Sequence, residues 1–361
     1  MITPSLAATR RLRRALAATS VAALVVTVPG CAGGAPGPAG PVPSAVARAA
    51  SSAPSSASGS PRTRARPFRH VPSQATCRRT LGTACYTADL VRRAYGVDRL
   101  NSAGLTVRGH TVVVFASPSP TSGTAPAVPE AEADRAARQS ASFSSALAAV
   151  VARGTTLTAS TGDSGAAPPV GPRGERVRSV SWPASDPSVF AVGGSRLHLD
   201  ELGRRTGPDT VWHDQGGATG GGLSQTFARP GYQDAAAAVV GGRRGTPDIS
   251  MDSSASGGTL VYQGFLPAGA GWLPVGGTSE AAPMFAALVA LANQQAGRRL
   301  GGIHRQLYGL AADPRNRIID ITKGDNGPDG FAATPGYDLA SGLGTVDAAA
   351  FVPKLATSAG G

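Results

Sequence analysis

Residues 276–283 read Gly-Gly-Thr-Ser-Glu-Ala-Ala-Pro, and an Ala/Leu/Val-rich run continues from there to about residue 297. A run this long and this apolar makes a helix that only the inside of a domain accepts. Such a helix must lie against a sheet or against other helices. The two glycines at its head provide a sharp turn. They place Ser279 at the helix N-terminus, where backbone N–H groups lack intrahelical partners and the helix dipole is positive. Two readings fit that serine. One is an N-cap. The other is a nucleophile whose attack builds an oxyanion.

From about residue 76 the chain alternates between short β-branched runs and helical patterns. Thr111–Phe115 reads as a buried strand, and Phe143–Arg153 as a helix that stops at Gly154. Thr155–Ser160 is the next strand. Val189–Val192 is another, closed by Gly193-Gly194, and Leu260–Gln263 precedes the Ser279 turn. This alternation predicts an α/β domain with a largely parallel sheet. Residues 116–129, rich in Pro, Ser, Thr and Ala, read as a loop.

The N-terminal segment has a different character. Arg10, Arg11, Arg13 and Arg14 precede an apolar Ala15–Val28 run, which reads as a secretory signal over residues 1–31. It ends in Val28-Pro29-Gly30-Cys31, similar to a bacterial lipoprotein site with Cys31 lipidated; the alternative is an ordinary signal peptide. Residues 32–75, mostly Ala, Pro, Ser and Gly up to residue 66, read as a flexible tether. Residues 76–355 would form the folded domain and 356–361 a tail. Of three cysteines, Cys77 and Cys85 lie eight apart in an exported chain, so a disulfide between them is expected. The net charge is +12, but no basic stripe is interleaved with aromatics, which argues against nucleic-acid binding.

Thr161-Gly162-Asp163-Ser164-Gly165 invites a trypsin-like reading with Ser164 as nucleophile, but the motif follows a helix and a strand rather than sitting in an all-β chain. A subtilisin-like reading of the Ser279 segment needs a histidine base in a His-Gly-Thr-His setting. None of His70, His110, His198, His213 and His304 has it, so the base must be a carboxylate.

At this point the chain resembles the serine-carboxyl peptidases, the sedolisin family. The matching stretches run in order: Cys77–Gly96, Ala159–Ala166, Trp182–Gly194, Val211–Ser224 with Arg229–Gln233, Arg244–Ser250 and Gly277–Pro283. The resemblance implies an α/β, subtilisin-like fold with a largely parallel central sheet flanked by helices, shortened here relative to the family. It implies Ser279 as nucleophile, Asp163 as oxyanion-hole donor, Glu130 as base and Asp134 as the residue orienting it. The last two are four apart, on one helix face. It also implies one Ca²⁺ held by Asp320 and Asp338 and by the carbonyls of Ile321, Thr334 and Gly336. The expected protein is thus a secreted or lipid-anchored monomer that cuts peptide or protein substrates at acid pH, outside the cytoplasmic membrane. It touches the membrane only through Cys31. The family's members are made with a large N-terminal prodomain, which residues 32–75 are too short to supply. The rival reading is a catalytically inactive binding or scaffold protein that lost the Glu/Asp segment.

Overall fold

The computed structural model describes residues 24–29, 67–115, 128–129, 137–170, 174–264 and 269–358. Its centre is a six-stranded sheet built from β1 (Leu24–Pro29), β2 (His110–Phe115), β3 (Thr156–Ser160), β4 (Phe190–Arg196), β5 (Thr210–Val211) and β6 (Ile249–Asp252). The order across it is β6-β4-β3-β1-β2, with β5 beside β4. Strands β3, β4 and β6 are parallel. Strand β1 is antiparallel to both β2 and β3, so β2 and β3 point the same way.

Parallel neighbours need crossover connections, and these cover both faces of a sheet. The strands read accordingly, with apolar residues on both faces. Phe190, Val192, Ile249 and Met251 join the large core beneath Ala281, Ala282, Phe285, Ala286 and Val289. Those five lie on the Ser279 helix, Thr278–Ala296. The opposite face carries Leu157, Ala159, Val189 and Ala191, covered by Leu147 and Val151 of the helix Ala137–Ala152. Among the described residues the α-helices of six residues or more are, in order, α1 (Gln74–Leu81), α2 (Ala88–Ala94), α3 (Val97–Ser102), α4 (Ala137–Ala152), α5 (Thr278–Ala296), α6 (His304–Ala311) and α7 (Ala348–Thr357). Helix α5 packs across β1, β2, β3, β4 and β6, and α7 packs against α5.

Two strand expectations change. Strand β4 does not stop at Gly193-Gly194 but runs through both to Arg196. A Cβ at 193 would come within 2.7 Å of Pro247, and one at 194 within 2.8 Å of Trp212 and Ser253. These glycines therefore admit neighbours against the strand rather than end it. Leu260–Gln263 does form a strand, β7 (Thr259–Gln263), but it lies outside the central sheet, in a hairpin with β8 (Gly271–Val275) and bridged at Thr259 to Tyr86.

Cys77 and Cys85 form the expected disulfide, packed with Phe68, Leu81, Leu260 and Trp272. Deeper in the domain, the fully buried Arg244 donates from both terminal nitrogens to Asp248 at 2.7 Å. Asp248 also accepts from Tyr308 Oη and from the Ala191 N–H, each at 2.8 Å. This cluster ties the approach to β6 to β4 and α6.

Candidate active site

The turn ahead of α5 is fixed by its second glycine. Gly277 has φ +115°, a region that favours glycine. A Cβ there would lie 2.8 Å from Asp163 Oδ2. The missing side chain lets the loop after β3 close directly onto the helix start. Thr278 then locks the two segments together. Its N–H and its hydroxyl each donate to Asp163 Oδ1 at 2.7 Å, and the hydroxyl accepts the Gly162 N–H at 3.0 Å. Gly277 is held from behind by donating to the Ser253 carbonyl at 2.6 Å. Ser279, next along, is partly exposed in the first turn of α5.

Burial pushes the Asp163 carboxyl above the usual carboxylate range, against the pull of the two Thr278 hydrogen bonds. Because both of those donors use Oδ1, the acid form carries its proton on Oδ2. A protonated Oδ2 can donate a hydrogen bond, and a carboxylate cannot. Together with the positive end of the α5 dipole, this arrangement suits an oxygen that gains negative charge beside Ser279.

A second acid feature was not singled out from the sequence. Both carboxylate oxygens of Glu280 are shielded from solvent, although the residue as a whole is only half-buried. Burial raises its pKa to about 7, partly offset by the Thr259 hydroxyl. Asp252, fully buried at the end of β6, is pushed well above its ordinary value, first by burial and next by the charge of Glu280. Its Oδ1 accepts the Leu197 N–H at 3.2 Å, and its own N–H donates to Tyr95 Oη at 2.8 Å. The available signal was a carboxylate inside an otherwise apolar helix run. Its partner lies 28 positions upstream (280 − 252) and only the fold brings it close.

The remaining candidates fall as follows. Glu130 and Asp134 lie outside the described residues. His304 is buried, stacked on Tyr232 and within reach of the Val189 carbonyl; burial lowers its pKa to about 4. His213 pairs with Asp325 at 2.7 Å on the surface. Both therefore have other partners.

The residues expected at the calcium site gather in one loop cluster. Gly336 donates its N–H to Asp320 at 2.8 Å, Thr334 donates to Asp338 at 3.0 Å, and the Ser341 hydroxyl reaches both Asp338 and the Ile321 carbonyl. Asp338 also accepts the N–H groups of Ala340 and Ser341. Two carboxylates and the Ile321 carbonyl are thereby brought into one cluster, and oxygen donors are the kind that suit Ca²⁺. Among the described residues no three His, Cys, Asp or Glu side chains gather around one point, so such a site would depend on its carbonyls.

No protein-family model matches the chain. It is similar to kumamolisin from Bacillus sp. (strain MN-32), 36% identical over 220 residues that make up 57% of this chain and 37% of kumamolisin. It is similar to sedolisin from Pseudomonas sp. (strain 101), 35% identical over 215 residues, or 56% of this chain and 35% of that one. Among solved structures it resembles the Pseudomonas serine-carboxyl proteinase sedolisin complexed with pseudo-iodotyrostatin, with a TM-score of 0.54, 32% identity and 62% of each chain covered. The chain thus spans little more than a third of the length of these curated relatives.

Proposed function

We propose, from the premise that the chain is a homologue of the serine-carboxyl peptidases of the sedolisin family, that it hydrolyses peptide bonds in peptide or protein substrates through an acyl-enzyme on Ser279. The observation that carries this reading is the seating of Asp163 against the α5 turn. One carboxyl oxygen is fully engaged by Thr278, and the other remains to donate a proton.

In this reading the Ser279 hydroxyl attacks the scissile carbonyl carbon while a carboxylate base, Glu130 oriented by Asp134, takes its proton. The carbonyl oxygen becomes an oxyanion and is met by the Ser279 N–H and by Asp163 Oδ2–H. Return of the proton to the amide nitrogen releases the amine and leaves an ester on Ser279. Water then attacks the ester; the same base takes its proton and passes it to Ser279 Oγ as the acyl–oxygen bond breaks and the acid product leaves. Asp163 helps only while protonated, and its burial extends that state upward from the ordinary aspartate value of about 3.9. The reaction therefore favours acid solution. Asp320 and Asp338, with the carbonyls of Ile321, Thr334 and Gly336, would hold one Ca²⁺, whose part is to fix the loops after residue 320. Secretion, with or without a lipid on Cys31, remains the reading for residues 1–31. Among the described residues no helix is long and apolar enough to cross a membrane.

The test is digestion of an unfolded protein by the purified chain between pH 3 and pH 7 with calcium present. Cleavage that peaks at acid pH and disappears in Ser279→Ala is the expected result. No cleavage anywhere in that range would overturn the peptidase reading and leave the inactive binding or scaffold protein. If cleavage persists undiminished in Glu130→Gln, the base lies elsewhere.

A further inference from the structure

The central sheet contains one strand that its neighbours in sequence do not supply. Strands β2 and β3 are parallel and follow each other among the sheet's strands, yet they do not pair. Between them lies β1, from the far N-terminal segment, antiparallel to both. On one side the register runs from Leu24↔Phe115 to Pro29↔His110, and on the other from Leu24↔Ala159 to Thr27↔Thr156. An inner strand uses its N–H and C=O groups on both edges. Taking β1 away would leave β2 and β3 facing each other across ~10 Å, twice the usual interstrand spacing. Both would then present unpaired backbone groups. The gap would open beneath α5, the helix that holds Ser279, because α5 packs across β1 as well as β2 and β3.

The segment suits that place. Leu-Val-Val-Thr-Val-Pro is uncharged and β-branched at four positions, and its proline, which cannot donate to a ladder, stands at the end. Residues 30–66 separate it from the next described segment, a length that reaches on the order of 100 Å when extended.

We propose that the sheet has a strand slot between β2 and β3, and that in the intact chain Leu24–Pro29 fills it as a donor strand. The same residues belong to the run that reads as the apolar core of an export signal. One segment cannot lie in a bilayer and in the sheet at the same time, so membrane and domain compete for it. Completion of the sheet under α5 depends on which of them holds it. This inference stands whether or not Ser279 reacts.

The experiment uses the full chain with Cys31→Ser, so that the only added thiols are the designed ones. Val26→Cys is combined in turn with Val113→Cys and with Leu157→Cys, the residues opposite it on the two sides. As a control it is combined with Val261→Cys in the separate β7–β8 hairpin. Mild oxidation is expected to give intramolecular crosslinks in the first two and none in the control. Absence of both crosslinks, or crosslinks that join two copies only, would overturn the proposal. In parallel, Val26→Pro is expected to speed amide exchange at least tenfold in His110–Phe115 and in Thr156–Ser160. Unchanged exchange in both strands would also overturn it. Should Val26→Pro prevent folding altogether, the crosslinks decide.

Discussion

Glu280 should make this protein lose stability as the solution is brought from acid to neutral pH. Its carboxyl ordinarily titrates at 4.5, and burial raises it to about 7 in the folded chain. Between those values the folded state holds a proton that the unfolded state has released, so stability falls as pH rises. The sign follows directly. The contribution is fully present below pH 4.5, shrinks through the window up to about 7 and is gone above it. At about 1.4 kcal/mol per pH unit, the window corresponds to a loss of about 3 kcal/mol. Asp252, raised by the same burial and by Glu280 itself, acts in the same direction. The assay is urea unfolding at half-unit steps from pH 4 to pH 8, comparing the chain with Glu280→Gln. Glutamine keeps the shape and cannot ionise, so the decline should flatten by about 3 kcal/mol across the window. If the variant shows the same decline as the parent, Glu280 does not ionise with a raised pKa and the burial argument fails.

Three further outcomes follow from the geometry. Gly277→Ala should lower activity on an unfolded protein at least a hundredfold, with a stability loss of about 1–3 kcal/mol. Its Cβ would meet Asp163 Oδ2 at 2.8 Å, and φ +115° strains any side-chain-bearing residue; wild-type kinetics would refute this. Arg244→Met should cost about 3–5 kcal/mol in denaturant unfolding, because it leaves the Asp248 carboxylate buried without its cation. The double variant Arg244→Met with Asp248→Asn should recover part of that loss. Chelation with EDTA should lower the melting temperature, and added Ca²⁺ should restore it. A chain whose melting is indifferent to both does not use Asp320 and Asp338 as ligands.

The sequence by itself determined the elements whose causes are local. The Ala/Leu/Val run after Ser279 could only be an inner helix, and Thr278–Ala296 is one, since almost every face of it is apolar. The β-branched runs at 111–115 and 155–160 became strands within a residue of where they were expected. Cys77 and Cys85, close in sequence, pair as anticipated. Tertiary structure decided everything that depends on partners distant in the chain. Gly193-Gly194 looked like a stop because glycine disfavours strands in isolation; packing by Pro247, Trp212 and Ser253 made it a passage. Thr278 acquires its role only from the fold, which brings Asp163, in the loop after β3, to 2.7 Å from its N–H and its hydroxyl. The Glu280–Asp252 acid pair exists only because β6 and α5 converge. Leu24–Pro29 carries the composition of a strand and of an apolar signal core alike. A place between β2 and β3 is a property of the sheet, not of those six residues.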